Sequence, residues 1–231
     1  MVLESNKNYA VLTGDVIRSS RLSTAQRERV MAVLSSLVDS FKTLDEQIDS
    51  RGPQVFRGDS WQVVMSEPQF ALHAALFLRA GLKSQEQVDT RIAVGLGQVE
   101  EWNDDLGKAD GTAFRRSGAA FDAMKRQDTL ACRWQPSSTT DETHAEVAAS
   151  AFFQAALHFV ARLANEWSTK EALAVFYTLQ GETQKRISKQ WPEGVTTQQN
   201  IANTLRRAGW AEINVFLKAF YSAVQNNYIR L

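Results

Sequence analysis

The sequence predicts an α+β domain followed by an all-α domain. Three observations carry this. Apolar, β-forming stretches at 8–15, 54–65, 90–99 and 129–134 are separated by segments with apolar residues at helical spacing, in the order βαββαβαβ. Past the polar run QPSSTTDET, residues 135–143, only helical periodicity remains. The stretch VFRGDSWQVV, residues 55–64, places Gly-Asp between two short apolar runs and so reads as a hairpin. The domains are accordingly expected at 1–138 and 139–231.

Each element has its own signal. YAVLTGDV, residues 9–16, is a buried strand that ends in Gly-Asp, and the polar loop RSSRLS follows it. Ser23 is an N-cap with Gln26 as its capping-box partner. The helix after it carries Val30, Val33, Leu34, Leu37, Val38, Phe41, Leu44 and Ile48, and RGP at 51–53 is read as its stop. After the hairpin, Pro68 suits the first turn of a helix reaching Lys83. TRIAVGLGQV, 90–99, alternates as a strand; EEWNDDLGKADG is an acidic loop. A helix over 112–127 and a strand over 129–134 complete the domain. Helices are then expected at 144–167, 169–180, 183–190, 196–208 and 210–227.

With 44% hydrophobic and 23% charged residues, the chain has the composition of a globular protein with a sizeable core. No run of about 18 apolar residues is visible, and MVLESNKNY lacks a signal peptide's apolar centre, so the expectation is a cytoplasmic protein with no membrane contact. The single Cys132 excludes an intrachain disulfide. Formal charge sums to zero, but residues 168–231 hold 8 Lys+Arg against 4 Asp+Glu. The remaining 18 against 22 leave residues 1–167 at −4 and the C-terminal part at +4, which favours an anionic partner for the latter.

Asp15 and Asp59 end neighbouring strands. Mg²⁺ is typically held by one or two carboxylates, with water and phosphate oxygens completing its shell, so two such acids could share a metal. Gly14 and Gly58 would leave room for a ligand. The competing reading is two ordinary Gly-Asp turns. The order strand–Asp, long helix, hairpin with RGDS, helix and TRIAVGLG resembles the catalytic palm of class III nucleotidyl cyclases, which is ferredoxin-like. AVLTGDVIRSSRL, FRGDSWQVV and DGTAFRRSGAAFDAMK resemble the SatD family of bacterial proteins. That resemblance implies a cyclase-like N-terminal domain, a C-terminal helix-turn-helix, and architecture more than an activity. It places Asp15, Asp59 and the Val16 carbonyl at the positions of the cyclase metal contacts. Arg18, Ser19, Ser20 and Arg21 then lie in a loop facing phosphates, where Arg binds bidentately; a solvated turn is the alternative. The late helix AFRRSGAAFDAMKR offers Arg115, Arg116 and Arg126 but lacks the cyclases' Asn. Metal–nucleotide binding is therefore better supported than catalysis.

In residues 169–210, TQKRISKQW and TTQQNIANTLRRAGW read as a helix-turn-helix. Thr197 is a cap, and Gln198, Gln199, Asn203, Arg206 and Arg207 form the exposed side of the second helix, with residue types that read base edges or phosphates. A polar-faced helical bundle is the alternative. The leading expectation is a ligand-responsive, homodimeric DNA-binding regulator with a Mg²⁺–nucleotide site; the other is a nucleotide-processing enzyme with a regulatory tail. The last helix, with Ile213, Phe216, Leu217, Phe220, Tyr221 and Val224, is either core or a dimer seam. Trp167, Trp191 and Trp210 are expected to pack the bundle. His73, His144 and His158 lack metal-site spacing.

Overall fold

The computed structural model describes residues 7–56, 58–134 and 144–226. Five strands form one mixed sheet: β1 (Asn8–Val16), β2 (Ser50–Phe56), β3 (Ser60–Met65), β4 (Thr90–Gln98) and β5 (Leu130–Arg133). Their order is β2-β3-β1-β4-β5; every neighbouring pair is antiparallel except β4 and β5. The expected linker at 135–143, and with it the boundary at 138, lies outside the described residues.

Side-chain alternation divides the sheet into two faces. Ala10, Leu12, Trp61, Val63, Ile92 and Val94 pack on one face against α1 (Thr24–Lys42) and α2 (Ala71–Gln85). On the other, Tyr9, Val11 and Val64 meet Ala113 and Phe114 of α3 (Thr112–Ala123), and Leu106 and Val99 from the acidic loop. α4 (His144–Glu166) packs along β5, α2 and the last helix; α5 (Thr169–Leu179) lies on α2, with Phe77 and Phe176 rings 4.8 Å apart. α6 (Gln184–Lys189), α7 (Gln198–Arg207) and α8 (Trp210–Gln225) complete the described chain. One cluster of buried side chains runs from Ala10 to Val224, so sheet and helical tail share a core.

The Ser23–Gln26 capping box forms as expected. The helix it starts ends at Lys42, not near Ile48. Beyond it the Thr43 hydroxyl donates to the Ser40 carbonyl, and the Asp45 carboxylate accepts from the Gln47 amide, local bonds that compete with helix. Leu44 and Ile48 still reach the core. RGP does not stop a helix; it lies inside β2, where pairing shifts register between Arg51 and Gln54. An edge strand with a bulge tolerates such a proline. α3 ends at Ala123, before the expected 127, and the Asp128 carboxylate accepts from the Lys125 amide in the turn that follows.

α4 contains one stretch, Val147–Glu166, that is long and apolar enough by length and composition to cross a membrane, with mean hydropathy 1.4, although Gln154, His158, Arg162 and Asn165 interrupt it. Its Leu157, Val160, Ala161 and Ala164 are buried in the shared core, while Phe152 and Phe159 face outward.

Candidate functional site

The C-terminal end of β1 lies between β3 and the start of β4, with Asp15 opposite Ser60 on one side and Arg91 on the other. Asp15 alternates onto the α3 face. There Arg91 clamps it, Nε donating to Oδ1 at 2.9 Å and Nη2 to Oδ2 at 2.5 Å. Asp59, at the hairpin tip, accepts a short hydrogen bond from the Ser19 hydroxyl, and its carbonyl accepts from the Val16 amide at 3.2 Å. Arg91 is held above its ordinary value by the hydrogen bond to Asp15, and by the charges of Asp15 and Asp59 against the opposing effect of burial. Asp15, Asp59, Ser19 and Arg91 therefore form one cluster. The Phe121 ring of α3 covers the Arg91 guanidinium at 5.2 Å.

The strand end is rigid for identifiable reasons. The Trp61 indole donates to the Thr90 hydroxyl at 3.1 Å, and that hydroxyl donates to the Asp15 carbonyl at 2.6 Å. A Cβ on Gly14 would come within 2.4 Å of the Trp61 ring and 2.6 Å of the Arg91 carbonyl. Gly14 thus makes room for the protein's own packing, which corrects the expectation of ligand space there. Gly58 does face open space, and its φ of 86° is the left-handed turn conformation glycine adopts without strain.

Two carboxylates are enough in number for Mg²⁺, but Asp15 is already neutralised by a bidentate guanidinium. Among the described residues no group of three or more His, Cys, Asp or Glu side chains gathers for a metal. The donor set fits a cation only through Asp59 and the remaining lone pairs of Asp15. The side chains of Arg18, Ser20 and Arg21 make no hydrogen bond or ion pair among the described residues, and all three are exposed beside this cluster, in and before the short turn Ser19–Arg21.

Arg115 and Arg116 do not join them. Arg116 donates to the Leu96 carbonyl at 2.5 Å, and Leu96 pairs with Ala10, five residues from the Asp15–Arg91 pair, or about 17 Å along a strand. Arg115 binds Glu100 and Asp110 of the acidic loop. α3 runs back along β4, so its first turn sits at the other end of the sheet from the Asp15–Asp59 cluster. DGTAF works here as a clamp: Gly111 and Thr112 lie against Gln98, and the Gln98 amide donates to the Thr112 hydroxyl at 2.8 Å. Sequence reading missed Arg91 and Phe121; a lone Arg at the start of an apolar strand was the available signal.

In the tail, the Thr197 hydroxyl caps α7 by accepting from the Asn200 amide, while Ile201 and Leu205 face inward. Gln198, Gln199, Arg206 and Arg207 are exposed and Asn203 is half-buried. Arg207 Nε donates to Glu171 at 3.2 Å; Arg206 has no side-chain partner among the described residues. Burial raises the Glu171 carboxyl, but hydrogen bonds from Ser168 and Arg207 outweigh that and hold it below the carboxylate range. Residues 190–197 connect α6 to α7, twice the three or four residues of a usual helix-turn-helix turn. α7 and α8 are joined by a shorter turn, through Ala208 and Gly209, the latter at φ 70°, but α6 packs more extensively on α7 than α8 does. Trp167 is buried and donates to the Ala208 carbonyl at 2.9 Å; Trp191 and Trp210 pack against the same core. α8 buries Ile213, Phe220 and Val224 within the chain, so its apolar side is core. No family model and no curated protein sequence matches the chain.

Proposed function

We propose that the chain is a ligand-responsive DNA-binding regulator of the SatD type, acting in the cytoplasm as a homodimer, whose sheet domain holds a nucleotide with Mg²⁺ beside Asp15 and Asp59. The observation that carries the DNA reading is the outward face of α7. It holds amide side chains at its N-terminal end and, at the other, Arg206, which has no side-chain partner among the described residues, within a part of the chain that is net positive. Lys185 and Lys189 of α6 add two more exposed cations without partners among the described residues. α6 packs on α7 across its longer connection, which leaves α7 as the second helix of the pair, the position that reads DNA in helix-turn-helix modules, with the exposed start of α8 beside it.

The cyclase-palm reading is supported by connectivity. β1 and β2 flank β3, and β3 and β4 flank β1, each pair joined through a helix on the same face. Two interlocked split β-α-β units of this kind are the ferredoxin-like arrangement. The carboxylate pair at its end also favours the second reading, a nucleotide-processing enzyme with a regulatory tail. Arg91 on Asp15 weighs against it, because phosphoryl transfer depends on metal ions neutralising charge.

Selection from a random DNA pool, followed by a salt titration of the enriched site, tests the DNA reading. The expected result is an enriched sequence whose affinity falls steeply with salt. No enriched site and no salt-dependent retention of non-specific DNA would leave the tail as an interaction bundle. Mg²⁺-dependent formation of a cyclic nucleotide, lost in Asp15→Ala, would put the enzyme reading first.

A further inference from the structure

A cleft of about 470 Å³ opens between the start of α2, the turn after α5, and α8. That volume is in the usual range for small-molecule sites. Three aromatic residues line it: Phe70 and Tyr221 meet edge to face with ring centres 5.3 Å apart, and Trp210 stands in the lining with Leu217. Among the described residues no aspartate or glutamate lines it. The single charged lining side chain is Lys218, exposed and without a hydrogen bond or ion pair among the described residues. At the base lies His73, whose Nε2 is 2.9 Å from the Leu179 carbonyl. Burial holds this imidazole below its ordinary value, outweighing the opposing hydrogen bond, so at neutral pH it supplies a polar group and no charge.

We propose that this cleft is a binding site for a small organic anion with an aromatic body, the rings of Phe70, Trp210 and Tyr221 packing its apolar part and Lys218 meeting its charge. Aromatic side chains lining a cleft offer a planar ligand apolar area and edge-to-face geometry. An unpaired cation in a lining free of acids selects an anion over a cation or a neutral isostere. The site is separate from the Asp15–Asp59 cluster. It also stands whether or not the tail meets DNA, since binding is read directly.

Naphthalene-1-acetate and its neutral counterpart naphthalene-1-acetamide are the probes, titrated into the full chain by calorimetry. The acid is expected to bind at one site, about two- to fivefold more tightly than the amide, the range of a solvent-screened charge contact. Lys218→Gln should abolish that preference and retain binding of the amide. Leu217→Trp should fill the cleft and abolish both, with the circular dichroism spectrum unchanged; Asn214→Phe, from the same wall, replaces it if that variant does not fold. Absence of saturable binding, equal binding of acid and amide, or binding that survives filling of the cleft would each overturn the proposal.

Discussion

Arg91 decides what the Asp15–Asp59 end of the sheet can hold. With both of its donors on Asp15, it lowers the negative charge available to a cation. Removing a positive charge about 5 Å from a metal, at an effective dielectric near 20, is worth more than a factor of ten in affinity. Arg91→Ala should therefore bind Mn²⁺ at least about tenfold more tightly than the parent in a paramagnetic titration. Equal affinity would mean that the cation sits elsewhere. Asp59→Asn should abolish Mg²⁺-dependent nucleotide binding without unfolding the chain; unchanged binding by calorimetry would place the nucleotide away from this cluster. His73 gives a second prediction at this scale. Its folded-state value is depressed by burial, so the unfolded chain takes up the proton first as pH falls. Its contribution to stability is complete above about pH 6.5, the ordinary imidazole value, and declines below it. Melting temperature measured down to pH 5 should fall less steeply in His73→Gln than in the parent; parallel curves would exclude His73 as the cause.

Among the elements, α2 is fastened by a buried charge. Arg79, fully buried, donates through Nε and Nη2 to the two oxygens of Asp89, just before β4, and through Nη2 to Asn165 of α4 at 2.7 Å. Burial by itself raises the Asp89 carboxyl, but Arg79 and Lys83 outweigh this and hold it below the usual range. Arg79→Met leaves that carboxylate without its main partner and should destabilise the chain by about 3–5 kcal/mol in urea unfolding. A loss under 1 kcal/mol would show that Lys83 or water replaces the guanidinium. α7 makes the other prediction at this scale. Arg206→Ala should weaken binding to all DNA sequences alike and reduce the salt slope by about one unit. Gln199→Ala should instead relax preference at one base position, at a cost of about 1–3 kcal/mol there. Identical behaviour of the two variants would argue against α7 as a reading helix.

For the whole molecule, sheet and tail are packed into one unit, because α5 lies on α2 and the buried cluster is continuous. What remains outward is apolar surface on α4, where Phe152 and Phe159 are 78% and 71% exposed, enough to make this helix a better seam than α8. The two residues are seven apart, a spacing that keeps both on one stripe of a helix. Light scattering should find a dimer, and Phe159→Asp should convert it to monomer with no change in helix content. A monomeric parent would remove α4 as a seam.

Sequence alone determined the strand and helix pattern, because periodicity of two against 3.6 is a local property that burial on one face imposes residue by residue. It also located the Ser23 cap and both acids, each readable from a few adjacent positions. The tertiary structure decided the rest. Arg91 meets Asp15 only because β4 pairs antiparallel with β1 in one register, and no spacing along the chain encodes that pairing. Arg115 and Arg116 follow the C-terminal end of β4, where Gln98 pairs with Asn8, and so lie at the opposite end of the sheet from Arg91. The end of α1 turned on local side-chain bonds from Thr43 and Asp45, which periodicity overrode on paper. The aromatic cleft unites Phe70 with Trp210 and Tyr221, residues brought together only by packing across the shared core.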